Sequence, residues 1–559
     1  KEEVLDHFNK TFDFAKSQMG SAQEIALRLT PLKDVYYTHD TTFDFNPKGH
    51  RETNYVLLGI AFLILFIAGI NFTNLTTSLI PLRLKTINTH RVLGCSIYKL
   101  RAISLIESIV ICLISYILAL FIVNDLSYTP IANWVDADIR LSQYKGLILL
   151  TALIAILTGC LAGLYPAIRS TSYAPALVLK GSFGLSPKGK KVRVALIGFQ
   201  YTVSIALIIV TLFMGLQNHF MTSSEQLGFN KDQVAIVNLT PEIYAKHKPQ
   251  YIQKLKDYPG IEDVAFSVYE LSKEDDMIDL EYARHEDKDV FFKVFYASEN
   301  FLSVMDIQVE EGRDFTREDL NKAQSDYIIN PAAERDFHLH PGDRFNDRTV
   351  LGVSKDFRFN SCRIASSPFV FALNNDIPNP KLVSYIRFNS KTNLQEAVAH
   401  VRETLKEIDP TFPFEISFYN TILNNLYQKE QTLGKLISLF GIMAILISIV
   451  GVFGLVLFET QYRRKEIGIR KINGATTGQI LLMFNKTYIR IVSVCFIISI
   501  PIAWMGTQQW LENFAYKTPL HLWVFIVAFL IILSVTIGTV TFRNWQAANE
   551  NPVNSVKSE

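Results

Sequence analysis

The sequence has few charged residues and few cysteines for a chain of 559 residues. Aspartate, glutamate, lysine and arginine make up 19% of it and hydrophobic residues 49%, a balance between those of water-soluble and fully membrane-embedded proteins. The formal net charge is +2, so the overall charge does not predict a nucleic-acid partner. We therefore expect a protein with both membrane-embedded and water-exposed parts.

The sequence also lacks the motifs of a catalytic or metal centre. Its five cysteines form no Cys-x-x-Cys pair, which argues against a disulfide framework or a zinc knuckle; they are Cys95, Cys112, Cys160, Cys362 and Cys495. There is no His-Glu-x-x-His, no Gly-x-Ser-x-Gly and no nucleophile beside a recognisable base. We expect a non-catalytic chain that binds no cofactor or metal itself.

Two stretches approach a functional pattern but have simpler interpretations. Residues 184–191 are close to the phosphate-binding pattern Gly-x4-Gly-Lys-Ser/Thr, but Lys191 stands where a hydroxyl is needed and no strand precedes. A basic segment flanking the membrane is favoured there. Glu107 lies inside an apolar run, where ionisable groups often mark function, yet it is near the basic end and within reach of interfacial water.

A third pattern concerns metal binding. Asp336, His338 and His340 would share one face of a strand and could hold a metal ion. Residues 331–337 are predicted to be helical, however, and only three ligands are in view. A metal site is therefore not favoured.

Seven apolar runs are long enough to cross a bilayer, which takes about 20 helical residues. They are residues 55–80, 102–123, 146–167, 194–216, 433–458, 488–506 and 520–542. The loops after the first, third and fifth runs are rich in Lys and Arg, which predicts that they face the cytoplasm. The N-terminus and the polar stretch between the fourth and fifth runs then face outward, and the C-terminus faces inward.

The polar stretch is predicted to be a mixed α/β domain. Residues 233–239, 382–388 and 414–418 have the apolar or alternating pattern of strands. Residues 393–408 place their apolar side chains on one helical face, and Pro410 ends that helix. A further helix, residues 421–432, is predicted to run without a break into the fifth apolar run.

The densest basic segment, residues 462–476, lies between two apolar runs and has a counterpart earlier in the chain. Residues 83–96 align with it without a gap, and residues 175–180 match 552–557 at nearly the same offset. Two matches at nearly one spacing predict an internal duplication of a whole membrane unit. The isoleucines among the basic residues predict a short helix lying on the membrane that offers one face to a partner. A plain positively charged loop is the alternative.

The duplication gives the predicted domain boundaries. Residues 1–51 are expected to be the remnant of a first outer domain, after an initial span that would precede Lys1. The later boundaries are a first three-span unit at 52–180, a linker and fourth span at 181–216, the outer domain at 217–432, and a second three-span unit at 433–559.

Several motifs together resemble those of the FtsX-like, or MacB-type, permeases of ABC transporters. The segment Arg-Lys-Glu-Ile-Gly-Ile-Arg-Lys at 464–471, followed by Gly474-Ala475, resembles the family signature. The remaining motifs are similar to those of the eight-span, two-domain branch common in Bacteroidetes: residues 198–207, 227–233, 311–315, 352–357 and 551–553. The resemblance covers nearly the whole chain.

The resemblance implies a membrane helical bundle with a MacB-like periplasmic core domain, in the bacterial inner membrane. It also implies a partner, an ABC-type ATPase dimer that carries the ATP, and allows a periplasmic or outer-membrane partner. The ATPase would dock on the following residues: Arg463, Arg464, Lys465, Glu466, Ile467, Gly468, Ile469, Arg470, Lys471 and Gly474. A weaker second docking segment would use Lys85, Ile87, Arg91 and Gly94, because Thr86, Asn88 and His90 depart from the signature.

A permease subunit that couples ATP hydrolysis in its partner to motion of the outer domain is therefore expected. In this family such work resembles transmission of force more than passage of a solute. Few charges lie in the spans, which agrees. A sensory or scaffold membrane protein, whose basic loops bind anionic lipid, remains the alternative.

Overall fold

The computed structural model describes residues 6–7, 30–37, 49, 51–129, 132, 140–172, 187–223, 227–272, 279–286, 288–322, 324–358, 360–373 and 382–549. Most of the predicted domain remnant 1–51 and both members of the predicted pairing of 175–180 with 552–557 lie outside the described residues. Among the first 63 residues, helix α1 spans Leu32–Val35 and its Asp34 pairs with Arg51.

The membrane part consists of long helices with two short ones between them. Their bounds are α2 Arg51–Ser78, α3 Ile80–Val92, α4 Ile97–Leu126, α5 Lys145–Thr171, α6 Pro187–Thr222, α12 Gln428–Tyr462, α13 Arg464–Ile472, α14 Thr477–Leu511 and α15 Leu522–Asn549. All but α3 and α13 are long and apolar enough to cross a membrane, so the seven spans predicted in the sequence are confirmed. We call α2–α5 the first membrane unit and α12–α15 the second.

An α/β domain is inserted between α6 and α12. Its helices are α7 Lys248–Lys256, α8 Phe301–Met305, α9 Pro331–Phe337, α10 Leu394–Ile408 and α11 Tyr419–Leu426. Its strands are β1 Val234–Leu239, β2 Ile261–Ser267, β3 Asp279–His285, β4 Lys288–Ala297, β5 Val309–Gly312, β6 Tyr327–Ile329, β7 Arg344–Phe345, β8 Arg348–Ser354, β9 Phe369–Leu373, β10 Leu382–Phe388 and β11 Ile416–Phe418. The predicted strands and the helix after Asn393 are confirmed.

The strands form one mixed sheet in the order β11-β1-β10-β2-β4-β9-β6-β8-β5, with β3 added to β4 and β7 to β8. The β4–β9 and β6–β8 pairs are parallel and the other pairs are antiparallel. Helix α10 covers one part of the sheet with Ala397, Val401 and Leu405, all fully buried. Those positions recur every four residues, so one helical face packs on the sheet.

One prediction about the junction with the membrane is wrong. The helix predicted to run unbroken from residue 421 into the fifth span is interrupted at Tyr427, which lies between α11 and α12 with φ −106° and ψ 13°. The tyrosine turns its hydroxyl to the loop around Cys362, at 3.2 Å from both the backbone nitrogen and Sγ. A tertiary contact of this kind overrides the local helical pattern.

Helices α6 and α12, which enter and leave the α/β domain, pack along a seam of small and polar residues. Ser204 and Ser448 lie with their hydroxyls 3.0 Å apart. Seven residues further along each helix, a Cβ on Gly441 would lie 3.4 Å from Oγ1 of Thr211, and one on Gly434 would lie 3.0 Å from Nδ2 of Asn218. A repeat of seven is typical of antiparallel helices in close contact, and small residues allow that approach in a membrane.

The first membrane unit is held by a Gly-x-x-x-Gly contact. A Cβ on Gly163 would lie 2.5 Å from Cβ and Oγ of Ser108, and one on Gly159 would lie 3.0 Å from the Cα of Ile109. These glycines let α5 approach the backbone of α4. Helix α2 crosses α5 nearby, where the hydroxyl of Thr73 donates to the carbonyl of Ala162 at 2.9 Å.

Candidate coupling segments and their junction with the α/β domain

The two predicted docking segments lie at the membrane end opposite to the α/β domain. Helix α12 leaves that domain and α13 follows at its other end, 35 helical residues or about 50 Å away. Helix α2 runs parallel to α12, because Asn71 lies at Gly451 and Leu75 lies at Gly454. The segment after α2 is therefore at the same end as α13, as the charge pattern of the loops predicts.

The second segment is the short helix α13, as its sequence predicts. Ile467 is 3% exposed and packs in the apolar core of the second membrane unit. Ile469 and Ile472 are 55% and 64% exposed. Arg470 pairs with Glu466 at 2.9 Å along the helix. The helix is thus anchored by one isoleucine and presents two others beside a basic side chain.

An ion pair and a hydrogen bond hold the beginning of this segment. Arg463 pairs with Glu459 at 3.0 Å, and the other carboxylate oxygen of Glu459 accepts from the hydroxyl of Tyr488 at 3.2 Å. The guanidinium of Arg463 also lies over the ring of Phe484, 5.8 Å from its centroid. A force applied to α13 would therefore reach both α12 and α14.

The first segment is the helix α3. Its buried anchor is Leu84, 2% exposed, rather than the predicted Ile87. Arg83 pairs with Glu107 of α4 at 2.8 Å. Glu107 therefore has a local structural partner, in agreement with the non-functional interpretation favoured by the sequence.

Both segments end in the same hydrogen-bonded turn. Gly94 and Gly474 have φ of +90° and +88°, which glycine adopts without strain. The N–H groups of Gly94 and Cys95 donate to Arg91 and His90, at 3.1 and 3.0 Å.

In the second segment the N–H groups of Gly474 and Ala475 donate to Lys471 and Arg470, at 3.0 and 2.9 Å. Ser96 and Thr476 then cap the next helix. This is the Schellman motif followed by an N-cap, at positions 380 residues apart. The duplication predicted from the sequence is thus visible in the backbone.

The two segments expose different side chains after that shared turn. The first presents Val92, Leu93 and Tyr98, which are 68%, 79% and 82% exposed. The second presents Ile469 and Ile472 with the basic residues of α13. The exposed surface of the first segment is therefore the more apolar one.

A junction that the sequence did not predict joins the α/β domain to the second membrane unit. The loop around Cys362 lies on the turn between α14 and α15, where the N–H of Tyr516 donates to the carbonyl of Cys362 at 3.1 Å. The hydroxyl of Tyr516 accepts from the N–H of Ser366 at 3.2 Å. Gln217 of α6 holds the same turn through Tyr516 O and Thr518 N, at 3.0 and 2.8 Å.

Two arginines reinforce the junction. Arg358 lies over the ring of Tyr516, 4.2 Å from its centroid, and Arg363 lies over Phe514 at 4.8 Å. Arg363 also donates to Glu430 of α12 at 2.7 Å. Cation–π contacts of this kind contribute about 1 kcal/mol or more where water is displaced. The loop thus contacts three membrane helices or their ends.

The buried groups of the junction stay uncharged. Burial raises the pKa of the Cys362 thiol and of the Tyr427 hydroxyl. Their mutual hydrogen bond is therefore a neutral one, which can be retained over the physiological pH range.

Three motifs that carry the family resemblance meet inside the α/β domain. Gly228 has φ +76°, and a Cβ there would lie 2.2 Å from the carbonyl oxygen of Asp356. Gly312 has φ +78°, and a Cβ there would lie 2.8 Å from the Cα of Gly352. The sequence offers the glycines as a signal, but their mutual contacts require the folded sheet.

The third of these motifs continues into the junction. Its last residue, Phe357, is buried in the core, and the N–H of Arg358 donates to the carbonyl of Leu227 at 2.8 Å. The shared packing therefore positions the loop that touches the membrane helices.

The candidate metal ligands are placed differently from the strand pattern. Residues 331–337 are helical, as predicted, and His338 follows in the left-handed conformation. The acidic and histidine atoms that lie within 4.8 Å of one another, among the described residues, belong to Glu311, Glu334 and His340. Two of these three residues are exposed, and we assign no metal to them.

Comparison with known families matches both membrane units. Residues 58–175 and 438–552 each match the FtsX-like permease C-terminal family model. The two matches begin 380 residues apart, which is the offset between the two coupling segments.

Among curated proteins, the chain is similar to macrolide export ATP-binding/permease proteins MacB. It is 25% identical to that of Aggregatibacter actinomycetemcomitans over 212 residues, which are 36% of this chain and 32% of the relative. It is 25% identical to that of Neisseria gonorrhoeae over 223 residues, which are 37% and 34% of the two chains. The chain thus spans about a third of the length of these relatives.

Solved structures similar to part of the chain are domains outside the membrane. The periplasmic region of MacB from Actinobacillus actinomycetemcomitans is 15% identical with a TM-score of 0.27, covering 36% of this chain and 94% of that one. The extracellular domain of the noncanonic ABC-type transporter YknZ from Gram-positive bacteria is 16% identical with a TM-score of 0.25, covering 33% and 98%.

Proposed function

We propose that this chain, whose two membrane units belong to the FtsX-like permease family, is the permease subunit of an ABC transporter. A separate ATPase dimer would hold the ATP and dock on α13 and, more weakly, on α3. The observation that carries the proposal is the repeated segment: two basic helices with the same terminal turn, both opposite to the α/β domain.

Orientation follows from the positive-inside rule, which puts both segments in the cytoplasm and the α/β domain in the periplasm. The chain would lie in the bacterial inner membrane with its C-terminus inside. ATP binding by the partner would then push on α13, which is fixed to α12 and α14 by Arg463, Glu459 and Tyr488.

The motion would reach the α/β domain by two routes. One is through α12 to the interruption at Tyr427, and the other is through the α14–α15 turn to the Cys362 loop. Both routes end on the same loop, so a tilt of the second membrane unit would move the domain as one body. We therefore propose transmission of force across the membrane, which would serve export or extrusion.

Capture of an ATPase tests the proposal. The chain is co-expressed with the ATP-binding-cassette ATPase encoded beside it and purified through a tag on the permease. We expect a variant with Lys465→Ala and Arg470→Ala to capture at least tenfold less ATPase than the parent. The matched control, Lys391→Ala with Lys517→Ala, removes the same charge at the opposite membrane end and should capture as much as the parent.

Equal capture by the Lys465/Arg470 variant would refute docking at α13. Arg91→Ala tests the first segment in the same assay, where we expect a smaller loss because its exposed surface is mainly apolar.

A further inference from the structure

The two membrane units contact each other at equivalent positions. Asn71 of α2 donates from Nδ2 to the carbonyl of Ile447 of α12 at 2.6 Å, and it is 8% exposed. A Cβ on Gly451 would lie 2.2 Å from Oδ1 of Asn71. Residues 71 and 451 are 380 positions apart, the same offset as that between the coupling segments and between the two family matches.

Contact between a residue and its own equivalent is typical of a two-fold interface. In a symmetric dimer such a residue lies on the axis, and the same patch is used by both partners. Here α2 and α12 are parallel, and the next contact, between Leu75 and Gly454, lies one turn further along both helices. The two units of one chain thus pair as two subunits of a dimer would.

The pairing is complementary rather than symmetric. Asn71 and Asn74 occupy the positions that Gly451 and Gly454 occupy in the other unit. Two α2 helices would place asparagine against asparagine in the space that one side chain now fills. Two α12 helices would leave glycine opposite glycine, with neither the side-chain contact nor the hydrogen bond to Ile447. Each helix therefore fits the other better than it fits a copy of itself.

We propose that the α2–α12 contact takes the place of a dimer interface, so that one chain forms the complete permease and offers its two unequal coupling segments to two ATPase subunits. The stoichiometric part rests on the proposed function. The pairing of the units within one chain does not, because it follows from contacts inside this chain.

Cysteine cross-linking in native membranes tests the pairing. The variant Asn71→Cys with Gly451→Cys should form an intrachain cross-link, detected as a shifted band at the mass of one chain. Asn71→Cys alone should give no cross-linked dimer. Ser204→Cys with Ser448→Cys, whose hydroxyls lie 3.0 Å apart, is the positive control for oxidation within the membrane.

A cross-linked dimer of the Asn71→Cys variant would overturn the proposal, because the unit would then pair with a second copy. Absence of the 71–451 cross-link while the 204–448 control reacts would overturn it as well. Should the cysteine pair fail to accumulate, the exchange Asn71→Gly with Gly451→Asn provides the second measurement. Each single change should lower the midpoint of thermal unfolding, and the exchange should recover most of the loss; no recovery would contradict the complementary fit.

The stoichiometry is then measured by native mass spectrometry of the complex with the neighbouring ATPase. We expect one permease chain with two ATPase subunits, and two permease chains would overturn the proposal. If no ATPase is captured at all, the proposed function fails, whereas the cross-linking result still decides the pairing.

Discussion

The hydroxyl of Tyr427 lies 3.2 Å from both the backbone nitrogen and the sulfur of Cys362, and this pair joins the α/β domain to the beginning of α12. Tyr427→Phe removes the only partner that this contact gives to the buried N–H. An unpaired buried donor costs about 1–3 kcal/mol, so we expect a lower midpoint of thermal unfolding in detergent. Tyr128→Phe, at a side chain that is 79% exposed, is the control and should change nothing. An unaltered midpoint for Tyr427→Phe would contradict a stabilising role of this contact.

A second prediction separates backbone conformation from steric contact. Gly228 and Gly342 both have positive φ, +76° and +99°, but only a Cβ on Gly228 would meet another atom, Asp356 O at 2.2 Å. Gly342→Ala should cost about 1–2 kcal/mol for the left-handed conformation alone. Gly228→Ala should cost several kcal/mol more or abolish accumulation, since two backbone segments must separate. Thermal unfolding of the purified proteins checks this, and equal losses would show that the close approach is not maintained.

The third prediction concerns pH. Hydrogen bonds from Arg313, at 2.7 and 2.8 Å, hold the pKa of Asp319 well below its usual range. The unfolded value is about 3.9, so the stabilisation is present above that pH and is lost as pH falls through the lower folded pKa. Asp319→Asn should therefore cost about 2 kcal/mol at pH 7, and its difference from the parent should shrink below about pH 4.

Asp314 provides the opposite sign in the same segment. Burial raises its pKa, so its ionised form is disfavoured in the folded state above the unfolded pKa. Asp314→Asn should leave the unfolding midpoint at pH 7 unchanged or higher. Parallel pH profiles for the two variants would disprove the assignment of opposite shifts.

A fourth prediction tests the helix contact in the first membrane unit. Gly163→Ala places a Cβ 2.5 Å from Ser108 and should destabilise the α4–α5 pair by about 1–3 kcal/mol. Gly506→Ala is the control, because nothing lies within 4 Å of its added Cβ and alanine favours the helix. Comparison of their thermal unfolding in one detergent decides the matter; a milder effect at Gly163 than at Gly506 would be inconsistent with close packing.

The sequence determined the seven spans, the positions of both coupling segments and several elements of the α/β domain. Each of these depends on local pattern: apolar runs of sufficient length, basic residues that hydrocarbon excludes, and alternation or helical periodicity along one segment. The duplication was also visible, since Gly94 and Gly474 end the two segments at one offset.

Tertiary structure decided what those segments touch. The interruption at Tyr427, the Cys362 loop on Tyr516 and the fit of Asn71 at Gly451 join residues 65 to 380 positions apart. A glycine in an apolar run or a tyrosine before a span carries no local sign of its partner, because the contact exists only once the helices and the sheet have packed.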